Sequence, residues 1–177
     1  MSRMRLSKLR TTGIALSTIL AFSSCGEPRA TAPQSTASAS TSSSPTLVEC
    51  PTNQTDITTG LVGLLGGSLT LDGSSISIQA GALSAPQLFQ LVVPASRYME
   101  IDISAVGLQT FLFQDSVSVT IDYSRCSRSN LDPASLHVYH IDPLTKALLE
   151  DMGGTVDGAN QRITFKTNHL SGYALAD

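Results

Sequence analysis

Residues 116–123 read SVSVTIDY. Val117, Val119, Ile121 and Tyr123 alternate with Ser116, Ser118, Thr120 and Asp122. This strict period of two puts the apolar set on one face of a strand and the polar set on the other. Working outward, residues 68–71 and 75–79 alternate in the same way around Asp72-Gly73. That dipeptide is favoured in type I′ turns, so a hairpin is predicted there. Ile101 with Ile103, and Ile163 with Phe165, mark two further half-buried strands. Residues 88–93 (LFQLVV) and 136–141 (LHVYHI) are apolar at both parities and read as central strands buried on both faces. Asp132-Pro133, Asp142-Pro143, Gly153-Gly154 and Asp157-Gly158 supply turns between these segments. Residues 60–67 (GLVGLLGG) are ambiguous, and no long window carries a convincing helical period. About eight or nine short, closely spaced strands predict an all-β fold, an antiparallel β-sandwich.

That domain is expected to occupy residues 47–177, a stretch of 131 residues, enough for a core of its own. The two segments ahead of it have different compositions. Residues 1–24 contain Arg3, Arg5, Lys8 and Arg10 and no acid, followed by an apolar run of 12 residues at 11–22 (TTGIALSTILAF) and then Ser23-Ser24-Cys25. A charged stretch, an apolar stretch and small residues, in that order, make a secretory signal peptide. The apolar run is too short to span a bilayer. Residues 26–46 (GEPRATAPQSTASASTSSSPT) contain 17 Ser, Thr, Ala or Pro among 21 residues and no aromatic or branched aliphatic side chain. Such a segment has nothing to bury against the entropy of ordering, so residues 25–46 read as a disordered linker that also permits glycosylation.

The charge distribution narrows the function. Beyond residue 24, seven of the eleven basic residues stand against all fourteen acidic ones. A domain that acidic lacks the cations that nucleic-acid binding requires, and no nucleic-acid partner is expected.

Cys25, directly after the small residues, resembles the lipobox cysteine of bacterial lipoproteins, which is diacylated and becomes the new N-terminus. Phe22 stands where that family usually has leucine. The resemblance implies lipidation at Cys25 and anchoring to a membrane of the bacterial cell envelope, facing periplasm or exterior. Two or three acyl chains would hold the protein durably, since each buried methylene contributes ~0.8 kcal/mol. Ordinary cleavage that leaves Cys25 a free thiol is the alternative. With Cys25 set aside, Cys50 and Cys126 are an even pair in an oxidising compartment. They read as a disulfide or, alternatively, as two free thiols. A loop of that length would stabilise the fold by about 4–5 kcal/mol on the chain-entropy account.

A second resemblance spans residues 66–176. Gly66-Gly67-Ser68-Leu69, then Ile76-Ser77-Ile78-Gln79-Ala80-Gly81-Ala82-Leu83, is similar to the opening of the ZU-five domain, with Gln79 in place of a proline. Residues 113–123 resemble that family's Phe-x-x-Pro-Val strand, with Ser116 in place of the proline. Asp132-Pro133 through Asp142, and His169-Leu170-Ser171-Gly172-Tyr173-Ala174, complete the order. The family is a β-sandwich found in ankyrins, netrin receptors, tight-junction proteins and many bacterial envelope proteins. The resemblance implies a non-catalytic interaction or structural module with an envelope or surface protein as partner.

Catalytic patterns are sparse. His137 and His140 are three apart, which on a strand points them to opposite faces, so they cannot share an ion locally and no metal site is expected. One should pack in the core and the other lie at the surface. Asp142, Asp151 and Asp157 sit at turns, where Asp accepts backbone hydrogen bonds. No Gly-x-Ser-x-Gly stretch sets up a nucleophile, Trp is absent, and no cofactor is expected. Some ZU-five relatives end in His-Phe-Ser and cut themselves before the serine. By that resemblance, His169-Leu170-Ser171 is an alternative self-cleavage site, with the Ser171 hydroxyl attacking the Leu170 carbonyl and a histidine as base. Otherwise Ser171 begins the last strand, in line with Tyr173 and Leu175, and His169 caps the preceding turn.

Overall fold

A computed structural model describes residues 44–126 and 131–177; the proposed signal peptide (1–24), Cys25 and most of the linker lie outside the described residues. The SVSVTIDY segment lies within the longest strand, β8 (Leu112–Asp122). Its flanks are β4 (Ser74–Ile78) and β12 (Arg162–His169), with β3 (Gly67–Leu71) and β11 (Thr155–Asp157) as the edges of a five-stranded antiparallel sheet. The alternation behaves as read. Val117, Val119 and Ile121 are buried, and Val119 is the register partner of both Ile76 and Phe165, an apolar row across three strands. The hairpin also forms: Asp72 has φ 49° and Gly73 φ 79°, the two left-handed residues of a type I′ turn. A Cβ on Gly73 would run into the Asp122 carboxylate, so glycine is required there on two counts.

The second sheet has six antiparallel strands in the order β10 (Leu148–Gly153), β9 (His137–Ile141), β13 (Gly172–Ala176), β7 (Glu100–Ala105), β5 (Gln87–Val93), β2 (Asp56–Val62). A short ribbon joins β1 (Glu49–Thr52) to β6 (Ser96–Tyr98). The two large sheets pack face to face as an antiparallel β-sandwich. One core cluster runs between them, including Ile76, Val119 and Phe165 from one sheet and Leu91, Ile103 and Tyr173 from the other. Each such side chain contributes roughly 1.5–3 kcal/mol by leaving water. Phe89 of β5 also meets Phe111 and Phe113 at the start of β8, with ring centroids 5.3 and 5.7 Å apart.

Three expectations are corrected. The described residues form thirteen strands, because short pieces such as β1, β6 and β11 pair by backbone hydrogen bonds without an apolar alternation to announce them. The segments 88–93 and 136–141 lie inside their sheet, but neither is buried on both faces. Phe89, Leu91 and Val93 point into the core, while Leu88 on the opposite face is 39% exposed. In β9 His137 is exposed and Tyr139 half-buried. The strand closed on both faces is instead β13, all five of whose residues are buried. Tyr173 and Leu175 face the core. The opposite face is crossed by the Lys146 side chain, which reaches from the turn after β9, over β13, to Glu100 on β7 at 2.7 Å. Small side chains at Gly172, Ala174 and Ala176 leave room for that crossing.

Candidate functional site

Cys50 of β1 and Cys126, just after β8, are joined in a disulfide across 76 positions of sequence. Both are buried. The bond ties the incoming segment to the end of the central strand of the five-stranded sheet. Of the three aspartates expected at turns, Asp142 follows β9 and Asp157 ends β11, whereas Asp151 lies within strand β10, yet each accepts a backbone N–H. Asp142 Oδ1 accepts the backbone N–H groups of Leu144 and Thr145 at 2.9 and 2.8 Å, and these donors hold its carboxyl below the usual range. Asp157 accepts from Asn160, and Asp151 from Gly153.

The two β9 histidines part as strand alternation requires. His137 lies on the outer face, 2.9 Å from an Asp151 oxygen of β10. His140 faces inward and is half-buried, next to Tyr173. Burial and the neighbouring His169 push its imidazole below the ordinary value. His169, at the end of β12, belongs to the opposite sheet, yet its ring stands 5.1 Å from that of His140. Glu150 on β10 is the register partner of His140. The ligand atoms of His140, Glu150 and His169 all lie within 4.8 Å of one another. Sequence reasoning weighed His140 only against His137, rejected that pair and missed this group. Its members lie ten and nineteen positions apart on three strands of two sheets, a separation that carries no local signal.

His169 is held by its own backbone. Thr167 Oγ1 donates to the His169 carbonyl at 3.0 Å and accepts its N–H at 3.2 Å, and Tyr173 Oη donates to the same carbonyl at 2.6 Å. Burial pushes the Tyr173 hydroxyl up to about 12. It therefore stays a donor through neutral pH. The capping role expected of His169 is thus replaced by a clasp around its carbonyl.

Ser171 precedes β13 and is half-buried. It lines a shallow cleft of about 180 Å³ with Asp102, Ser104, Pro143 and Gly172. Its carbonyl accepts from Ile103 N–H at 3.1 Å. Among the described residues no hydrogen bond joins its hydroxyl to His169, whose ring is turned toward His140 and Tyr173. The expected behaviour is that of a structural residue. Weighed after denaturation, the parent and a Ser171→Ala variant should both retain residues 171–177, and their stabilities should agree within about 0.5 kcal/mol. A parent that loses those seven residues while the alanine variant keeps them would make the segment self-cleaving.

No protein-family model matches this chain, and no curated protein matches it either.

Proposed function

We propose that this chain is a lipid-anchored protein of the bacterial cell envelope whose sandwich, of ZU-five type, is a non-catalytic module for binding another envelope protein. The observation that supports this reading is an exposed apolar row on the outer face of the six-stranded sheet. Leu61 of β2 is the register partner of Leu88 on β5, and the N–H of Val106, just past β7, donates to the Leu88 carbonyl at 2.8 Å. Three apolar side chains thus line up across three neighbouring strands, 73%, 39% and 43% exposed. Ile57 adds to the same face of β2, 56% exposed. Covering such a row with a partner's apolar surface is favourable by roughly 25 cal/mol per Å². The basic and apolar leader, the lipobox-like Cys25 and a disulfide suited to an oxidising compartment support the envelope location.

Site-specific photo-crosslinking in the native envelope tests both halves. A photoreactive residue at Leu61 should give a discrete protein adduct in the membrane fraction, on a chain whose N-terminus is diacylated Cys25. The same probe at Lys166, exposed on the other sheet, should not. Leu88→Asp should abolish the adduct. Equal labelling at both positions, or a soluble unlipidated product, would overturn the reading.

A further inference from the structure

We propose that His140, Glu150 and His169 form a binding site for one divalent transition-metal ion of the zinc type, which staples the two sheets at one end of the sandwich. The donor set comes first. Two imidazoles and a carboxylate suit zinc and its first-row neighbours, whereas calcium and magnesium favour all-oxygen shells. Three protein ligands leave one tetrahedral position to solvent. The positions come second. His140 and Glu150 are cross-strand partners on β9 and β10, and His169 approaches from β12 of the facing sheet. A shared ion would therefore add a bridge between the two layers beside the hydrogen bond from Tyr173 Oη to the His169 carbonyl. The ligand atoms lie within 4.8 Å of one another, against about 3.3 Å between ligands around tetrahedral zinc. Glu150 is exposed and its carboxylate makes no hydrogen bond among the described residues, so it can swing inward and also leaves the ion a way in.

The third observation is the state of His169. Its Nδ1 lies 3.3 Å from Thr167 Oγ1 and 3.4 Å from Asn168 Oδ1, so a proton on that nitrogen has acceptors. Its Nε2 is buried from solvent and has no hydrogen-bond partner among the described residues. A buried ring nitrogen without a partner is costly unless something accepts its lone pair. Metal-bound histidines show this division: one nitrogen is held by a neighbouring polar group and the other presented to the ion. The Thr167 and Tyr173 hydrogen bonds to the His169 backbone add the support that such a ligand needs to keep its aim.

The chain has three histidines, so a small set of variants isolates the site. The full-length chain carrying Cys25→Ser, which removes the free thiol as a competing ligand, is stripped with a chelator and titrated calorimetrically with zinc chloride alone. One ion per chain is expected, with a rise in unfolding temperature as zinc is added. Glu150→Gln keeps the size of an exposed side chain and should leave the far-ultraviolet dichroism unchanged. It and His169→Ala should each weaken zinc binding by about 100-fold or more and remove the thermal shift. His137→Ala, on the outer face, should bind like the parent. Binding that survives both Glu150→Gln and His169→Ala, binding that is lost equally in His137→Ala, or no binding by the parent would overturn the proposal.

Discussion

Replacing Cys50 and Cys126 together with alanine lowers the stability of the folded domain by about 4–5 kcal/mol. The bond closes a loop across 76 positions, and on the chain-entropy account a loop of that length removes about this much disorder from the unfolded chain. For a domain of 131 residues the corresponding fall in unfolding temperature is roughly 15 °C. Both sulfurs are buried, so alanine also loses some packing on the folded side. Thermal unfolding of the parent with and without a reductant measures the first effect without any substitution. The double variant should match the reduced parent and gain nothing from reductant. A parent whose midpoint ignores reductant, under conditions where free thiols are shown to form, would rule out the stabilising role.

Lys146→Met should destabilise the domain by about 3 kcal/mol through the residue it leaves behind. Glu100 is 2% exposed, and both of its oxygens accept from Lys146 Nζ, at 2.8 and 2.7 Å. Removing the ammonium leaves a buried carboxylate without its cation, a change that costs roughly 3–5 kcal/mol. The lower end applies because the Lys146 side chain is itself 29% exposed. Methionine preserves the stem that crosses β13. Glycine would confuse the result, since Lys146 has φ 60° and glycine would relieve backbone strain at the same time. Adding Glu100→Gln to Lys146→Met should recover much of the loss, and a double-mutant cycle from urea midpoints gives the coupling directly. Additive effects of the two changes would show that the pair does not act as a unit.

The local architecture was legible where local chemistry decides it. Asp72-Gly73 forms its tight turn because these two residue types tolerate positive φ, and the SVSVTIDY alternation sorts itself because a strand has only two faces. Apolar composition alone did not say which faces are covered. Leu88 belongs to an apolar run yet lies on the outer face of β5, 39% exposed. The small residues of β13 are the ones sealed on both sides, with Ile141 and Pro143 against Gly172 and the Lys146–Glu100 pair joining the turn after β9 to β7. The self-cleavage alternative read His169 and Ser171 as a local pair. In the fold the ring of His169 stands beside His140 of the facing sheet instead, a neighbour distant in sequence.

The sequence by itself determined that the fold is an all-β sandwich, that Asp72-Gly73 turns a hairpin, and that His137 and His140 face opposite ways. Each follows from the geometry of consecutive residues. The tertiary structure alone decided that Cys50 reaches Cys126, that Lys146 covers β13 to hold Glu100, and that His140, Glu150 and His169 converge. These depend on which strands become neighbours and how the two sheets stack. That order follows from burying the whole apolar surface at once, and no short stretch of sequence carries it.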